Sequence, residues 1–445
     1  MAQVRDGISL AHAVALKFRE VASQLSPMAA MFAIAALLAG TAGTSYAGPA
    51  LSNSVVVSNF GVLFAGSFET FAAGSQKSSR PEFLVIGCKG SKTGPTPCTD
   101  NTLLGDGNGA AGDAQSSLTG DIAIAVPLGI AGVFPDGFVE LWPFGANGNS
   151  SATSILVGTP TTTGIDLNQG VGFENPFDGL HPFGDDILAV ANFLPAVVDP
   201  PDVEVSPGPP PIDVGICAVT GFSLGTITEY DATFLLPGLN FTTPLNNSPV
   251  NFGTGNATLG GCGTFLFGPV GVAFDRDGDL YVVNEGGAPA LSFVTVYDPS
   301  APFPYGGFGN AVPLAIIGLE GATGGALVDP LYIAVDSAFN IYVSDIGDNS
   351  IKIFETFTNS NGLFYEGTQI GEIQGPATHL NRPEGVAISA DGNLYVVSNN
   401  KNTLLEFEDV GTGGGNIPPT VLIGGLHSKL NFPVGVALSQ FPPPG

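Results

Sequence analysis

The run Pro269–Asn284 (PVGVAFDRDGDLYVVN) returns as Pro330–Asp345 (PLYIAVDSAFNIYVSD) and as Pro383–Ser398 (PEGVAISADGNLYVVS), and begins again as Pro433–Ser439 (PVGVALS). The four prolines stand 61, 53 and 50 residues apart. Likeness at such a period marks an array of small units, none of which can bury its apolar face alone, so neighbours must stack. Each copy reads as two short apolar strands around a polar turn. The composition agrees with this. With 63 glycines and 36 prolines among 445 residues, the chain would lean toward disorder were the rest polar, but 44% is apolar. Many short strands joined by tight turns satisfy both facts.

Two further markers follow each copy. The first is an alternating strand ending in an aromatic residue: Val294–Tyr297, Ile351–Phe354 and Leu404–Phe407, with looser versions ending at Tyr230 and Trp142 and near Phe71. The second is a short apolar run closed by glycine, as in Leu314–Gly318, Ile370–Gly375 and Val421–Gly424. Two core strands and these two make four strands per unit, and six aromatic-strand positions make six units. Upstream, Leu188–Asn192 and Ile122–Val126 hold the place of Leu280–Asn284, and Val55–Asn59 (VVVSN) repeats Tyr395–Asn399 (YVVSN). The first unit lacks its opening strand, and Pro433–Ser439 is an opening strand without a unit. The expectation is an all-β, six-bladed β-propeller of four-stranded antiparallel blades, closed by pairing of the N- and C-terminal strands, which removes the exposed edges.

Residues Met28–Leu38 form an apolar stretch ahead of small residues ending at Ala47, with Arg5, Lys17 and Arg19 upstream. That pattern predicts a signal peptide over 1–47, or a retained anchor, and one domain over 48–445. No later run reaches the ~18 apolar residues of a membrane span. The Pro-rich segment 195–211 reads as a stiff insertion. Export implies an oxidising compartment, periplasmic or extracellular, where Cys88, Cys98, Cys217 and Cys262 form two disulfides. Three pairings are open, and sequence proximity favours Cys88–Cys98 with Cys217–Cys262. A net charge of −27 repels phosphate backbones, so nucleic acid is not an expected partner.

The pattern P-x-G-[VI]-A-[FV]-D-x-x-G-x-[LI]-Y-V-x-[DN] resembles the NHL-repeat family of β-propellers, closely over 269–439 and loosely over 48–268. Zinc-dependent amidating lyases of this type place His directly after the repeat proline. Here Val270, Leu331, Glu384 and Val434 occupy that place, while His379 and His427 fall in connecting loops. Gluconolactonase-like propellers are similar in holding a divalent metal through Glu, Asn and Asp at the axis.

Several local patterns lack the context their chemistry needs. Gly221–Gly225 fits G-x-S-x-G, but a strand follows where a nucleophile elbow requires a helix. Gly107–Gly112 fits G-x-G-x-x-G without a strand and helix around it. Asp275, Asp277 and Asp279 suggest calcium, yet Asp-Gly is also the expected turn between two strands. One constellation remains. The innermost strand starts and the second strand ends on the same rim, because antiparallel neighbours reverse direction. The second-strand ends are Ser58, Val126, Asn192, Asn284, Asp345 and Ser398, and Glu384 begins an inner strand there. Asn192, Asn284, Asp345 and Glu384 can hold a hard cation such as calcium, or they can cap strands and brace turns.

These readings favour an exported binding or scaffold module for a protein, glycan or small molecule, expected to be monomeric and more a binder than an enzyme, with its loops as the binding region. The alternative is a calcium- or zinc-dependent hydrolase or lyase at the axis, with Glu384 as base or metal ligand.

Overall fold

A computed structural model describes residues 53–60, 67–86, 112–115, 122–126, 138–142, 145–147, 154–157, 168–173, 187–193, 225–231, 240–241, 258–260, 262–286, 292–297, 311–319, 327–355, 367–408, 410 and 413–439. The N-terminal segment 1–47, the insertion 195–211, Cys88, Cys98 and Cys217 lie outside these residues. Among those described, the helical pieces are the 3-10 turns Cys262–Thr264, Pro376–Thr378 and Asn399–Lys401, and everything else regular is strand. No described helix is long and apolar enough to cross a membrane.

The strands hydrogen-bond into separate sheets. Sheet I runs β26 (Pro433–Ser439), β1 (Ser54–Asn59), β2 (Ser67–Phe71), β3 (Phe83–Ile86). Sheet II holds β4 (Gly112–Gln115), β5 (Ile122–Val126), β6 (Phe138–Trp142) and β7 (Ser154–Val157). Sheet III holds β8 (Asn168–Phe173), β9 (Ile187–Asn192), β10 (Thr226–Asp231) and β12 (Thr258–Leu259). Sheet IV holds β13 (Pro269–Phe274), β14 (Leu280–Asn284), β15 (Phe293–Tyr297) and β16 (Ala315–Ile317). Sheet V holds β17 (Pro330–Val335), β18 (Asn340–Asp345), β19 (Ser350–Glu355) and β20 (Thr368–Ile373). Sheet VI holds β21 (Pro383–Ile388), β22 (Leu394–Ser398), β23 (Thr403–Phe407) and β25 (Val421–Gly424). The first-named strands pack side by side around an axis: β4 on β8, then β13, β17, β21, β26, and back to β4. The architecture is a β-propeller.

The expected pairing of the N- and C-terminal strands is present, while the six like, four-stranded antiparallel blades are revised in two respects. Only five blades, II to VI, take their four core strands from one run of chain. The first run of chain has no innermost strand, and β26 supplies it by pairing antiparallel with β1, Val55 opposite Leu438 and Val57 opposite Val436. In addition, sheets II and V carry a fifth strand that runs parallel. β11 (Asn240–Phe241) pairs with β7, and β24 (Gly414–Gly415) pairs with β20.

Both extra strands come from the next sheet, between its third and fourth strands. The same connection covers other outer edges by smaller means. Gly424 N–H donates to the Lys77 carbonyl at 3.1 Å, and Leu84 N–H donates to Asn147 Oδ1 at 3.2 Å. An open sheet edge invites pairing with foreign strands. Here the neighbouring blade occupies it.

The apolar positions alternate between the two sheet faces, so each interface between blades receives residues from both sides. Val55, Val57 and Phe71 of sheet I meet Tyr395, Val397 and Leu404 of sheet VI across the seam. The repeat glycine now has a reason. A Cβ on Gly271 would lie 2.4 Å from the Leu331 carbonyl oxygen of the next inner strand, and one on Gly170 would lie 2.3 Å from that of Val270. The repeat proline also fits its place. It opens the inner strand where the ladder slips, and a missing N–H is tolerated at such a bulge.

Candidate functional site at the axial face

The second-strand ends lie in register opposite the repeat prolines: Asn284 opposite Pro269, Asp345 opposite Pro330, Ser398 opposite Pro383. In sheet I the residue opposite Pro433 is Asn59, not Ser58. The VVVSN and YVVSN runs therefore match by letter but sit one residue out of register. A slip of one sends each side chain to the opposite face, and β1 follows the packing demand of Val55 and Val57. Ser58 instead accepts the Gly435 amide at 2.9 Å, as Ser344 accepts that of Tyr332 at 3.0 Å.

These end residues share one task. Each accepts the amide hydrogen of the residue two places before the repeat proline of its own blade. Phe267 donates to Asn284 Oδ1 at 2.9 Å, Val328 to Asp345 Oδ2 at 2.8 Å, Asn381 to Ser398 Oγ at 2.9 Å, and Asn431 to Asn59 Oδ1 at 2.9 Å. Asp345 also takes Asp329 and Gly347 amides on Oδ1. The rim of oxygens thus staples the crossover loops between blades. The second half of each staple changes with its chemistry. Asn192 and Asn284 donate through Nδ2 to Thr228 and Thr295 hydroxyls at 3.2 and 3.1 Å, and Asn59 donates to the Glu69 carboxyl. Asp345 has no N–H to give, and Lys352 replaces the threonine and donates to it at 2.8 Å. Ser398 bonds only to the loop, and apolar Leu405 fills the partner position.

The structure does not bring Asn192, Asn284, Asp345 and Glu384 together as a ligand set. Their lone pairs and N–H groups point into the blades, all of the first three side chains being fully buried. Among the described residues no group of three or more His, Cys, Asp or Glu is arranged to hold a metal. A cavity of about 210 Å³ follows the axis, but Val272, Ile333, Val386 and Val436 line it and none of those four residues does. With their oxygens taken by loop amides, Asn284 and Asp345 do not fit a calcium or zinc ion at the axis. The Asp275 carboxylate likewise closes its own turn. Oδ1 accepts the Asp277 and Asp279 amides and Oδ2 accepts the Tyr281 hydroxyl, an arrangement Asp336 repeats with Ala338, Asn340 and Tyr342. Cys262 opens its 3-10 turn, and the proposed disulfides otherwise lie outside the described residues.

Glu384 is the exception among the expected site residues. Its side chain is 6% exposed and accepts Arg382 Nε on Oε1 at 2.6 Å. Burial pushes its carboxyl up to about 7, against the pull of the Arg382 charge. Two more carboxyls gather at Arg382. Burial raises both Glu285 and Asp329, with mutual repulsion adding to Glu285 and the Asp345 charge adding to Asp329, while Arg382 opposes each rise.

The residues missed at the sequence level precede the repeat proline. Gly268, Asp329, Arg382 and Phe432 hold equivalent places at the axial mouth, and Arg382 and Phe432 have left-handed φ of 54° and 53°, like Gly268 at 64°. Their amides are held by Asn349 and Asn402 of the preceding second-to-third-strand turns, at 2.7 and 2.5 Å. The available signal was a run before three of the four repeat prolines, Thr264-x-Leu266, Thr378-x-Leu380 and Ser428-x-Leu430. There the hydroxyl accepts the leucine amide and the leucine plugs the loop into the core.

No family model matches the chain, and no curated protein matches it. The NHL resemblance therefore stands on the repeat residues alone. Among solved structures, similarity is found to a nidogen/laminin complex at 10% identity, covering 87% of this chain and 98% of that one with a TM-score of 0.45. A protein from Bacteroides caccae is similar at 8% identity, covering 88% and 100% with a TM-score of 0.43. The periplasmic gluconolactonase of Pseudomonas aeruginosa is similar at 14% identity, covering 80% and 78% with a TM-score of 0.39. At such identities the likeness concerns fold alone.

Proposed function

We propose that the protein is an exported, monomeric binding propeller of diverged NHL type, with six blades when sheet I is counted, and that it holds its ligand on the axial face carrying Arg382 and Glu384. One observation supports this reading above the metal-dependent alternative. The Asn284 and Asp345 oxygens that an axial cation would use are occupied by crossover-loop amides, so a metal would have to unfasten the loops it sits among. The outer edges of sheets I, II, V and VI are covered by their neighbours, which favours the faces for recognition. Export rests on the N-terminal segment 1–47 and on paired Cys88, Cys98, Cys217 and Cys262.

Glu384 keeps a second reading open, because a carboxyl near 7 is suited to general acid–base work at neutral pH. Thermal unfolding of the full chain with excess EDTA and with added calcium or zinc separates the two. Unchanged melting temperature and no copurifying metal are expected. Stoichiometric metal whose retention needs Asn284 or Asp345, together with lactone hydrolysis lost in Glu384→Gln, replaces binding by catalysis.

A further inference from the structure

Three consecutive sheets, V, VI and I, place an acid, a base and an aromatic ring at equivalent positions around the axial mouth: Asp329, Arg382 and Phe432. They are contiguous. The Arg382 carbonyl accepts the Asn399 amide at 3.0 Å, and Asn399 Nδ2 donates to the Pro433 carbonyl at 3.2 Å, tying Arg382 to the residue after Phe432. Phe60 N–H donates to the Phe432 carbonyl at 2.9 Å, so the backbones of two aromatic residues, 41% and 37% exposed, meet there. Sheet IV shows that glycine serves this loop position without strain. Arg382 and Phe432 instead hold a left-handed backbone that side chains disfavour, and their side chains are displayed at the mouth at that cost.

The polar groups are mixed in kind. Arg382 spends Nε on Glu384, and no described residue accepts from its two terminal nitrogens. Glu384 Oε2 receives no hydrogen bond from a described residue and keeps contact with solvent, although the side chain as a whole is only 6% exposed. An anion at Arg382 meets Glu285 and Asp329, and a cation at those carboxyls meets Arg382. A hydroxyl both donates and accepts, so it satisfies all of them. A flat apolar ring beside such groups suits the C–H face of a sugar. The overall charge of −27 does not repel a neutral ligand.

We propose that the axial mouth binds a neutral polyol, the end of a saccharide, stacked on Phe432 and hydrogen-bonded by Arg382, Glu384, Asp329 and Glu285. This rests on the binding reading given above. The test is saturation-transfer NMR on the full chain with methyl glucoside, methyl galactoside, methyl mannoside and diacetylchitobiose, with hexalysine and inorganic phosphate as comparison probes. At least one sugar is expected to bind, at least tenfold more weakly in Phe432→Gly and in Arg382→Ala. The melting temperature of Phe432→Gly is expected to hold, because glycine relieves the loop; Phe432→Asn serves if it does not. Silence from every sugar, or binding indifferent to both positions, overturns the proposal. Binding of hexalysine or phosphate alone, lost in Phe432→Gly, also overturns it but leaves the binding face standing.

Discussion

Asp345 and Lys352 show how one residue is understood through its counterpart in the neighbouring repeat. Where Asn284 meets Thr295, amide to hydroxyl, the next blade has exchanged both partners, and the staple survives as a buried ion pair. Removing one partner of such a pair leaves an uncompensated charge, at about 3 kcal/mol or more. Lys352→Thr should lower unfolding free energy by roughly that amount, and Asp345→Asn with Lys352→Thr should recover more than half of it. Denaturant melts of the double-mutant cycle check this, and strictly additive losses would sink the exchange. Glu69 makes a second residue-scale prediction. Full burial raises its carboxyl from 4.5 to about 8, with Asn59 and Ser67 opposing. A raised folded-state value means stability is fully present below the unfolded value and is lost as pH climbs through the folded one. Stability should therefore fall between about pH 4.5 and 8, by about 1.4 kcal/mol per pH unit from this group at most. Glu69→Gln should flatten that slope in melting curves taken at pH 5, 6.5 and 8. From sequence alone, Asn and Asp at strand ends read as ligands or, more readily, as braces, because both roles want a short side chain with free lone pairs. The paired change from Asn and Thr to Asp and Lys was the sign of a brace.

At the scale of elements, the inner strands carry the tightest constraint. Gly271 lies where a methyl group would meet the Leu331 carbonyl at 2.4 Å, backbone against backbone, with nothing flexible to yield. Gly271→Ala should cost about 2 kcal/mol or more, whereas Gly392→Ala, with open space around it, should cost less and only through its φ of 85°. Thermal melts of the two variants give the ranking, and equal losses would mean the strands can part. The period-two pattern and the repeat made the core strands legible. β11 and β24 were not, because two residues such as Gly414 and Gly415 carry no alternation to detect. They form a strand through their backbone alone, and glycine is needed because a Cβ on Gly414 would strike the Glu372 carbonyl at 2.4 Å.

At the scale of the molecule, the closing of the ring was readable because its two halves complement each other: a headless unit at one end and an ownerless strand at the other. The axial mouth was not readable, since its residues precede the repeat motif and differ from copy to copy, which pattern matching treats as noise. That variation is what a recognition surface on a repeated scaffold requires, with like loops presenting unlike side chains.

Assembly order and synthesis order oppose each other in this chain. β1 is made well before Pro433–Ser439, and Val55 and Val57 lack their strand partners Leu438 and Val436 until then. The nascent chain therefore makes every strand between them with one wall missing, and a helper that shields an apolar strand would have that long to act. Moving residues 433–439 ahead of β1 by circular permutation should make that sheet a local hairpin and quicken refolding in stopped-flow traces. An unchanged rate would mean the closing strand docks before the slow step.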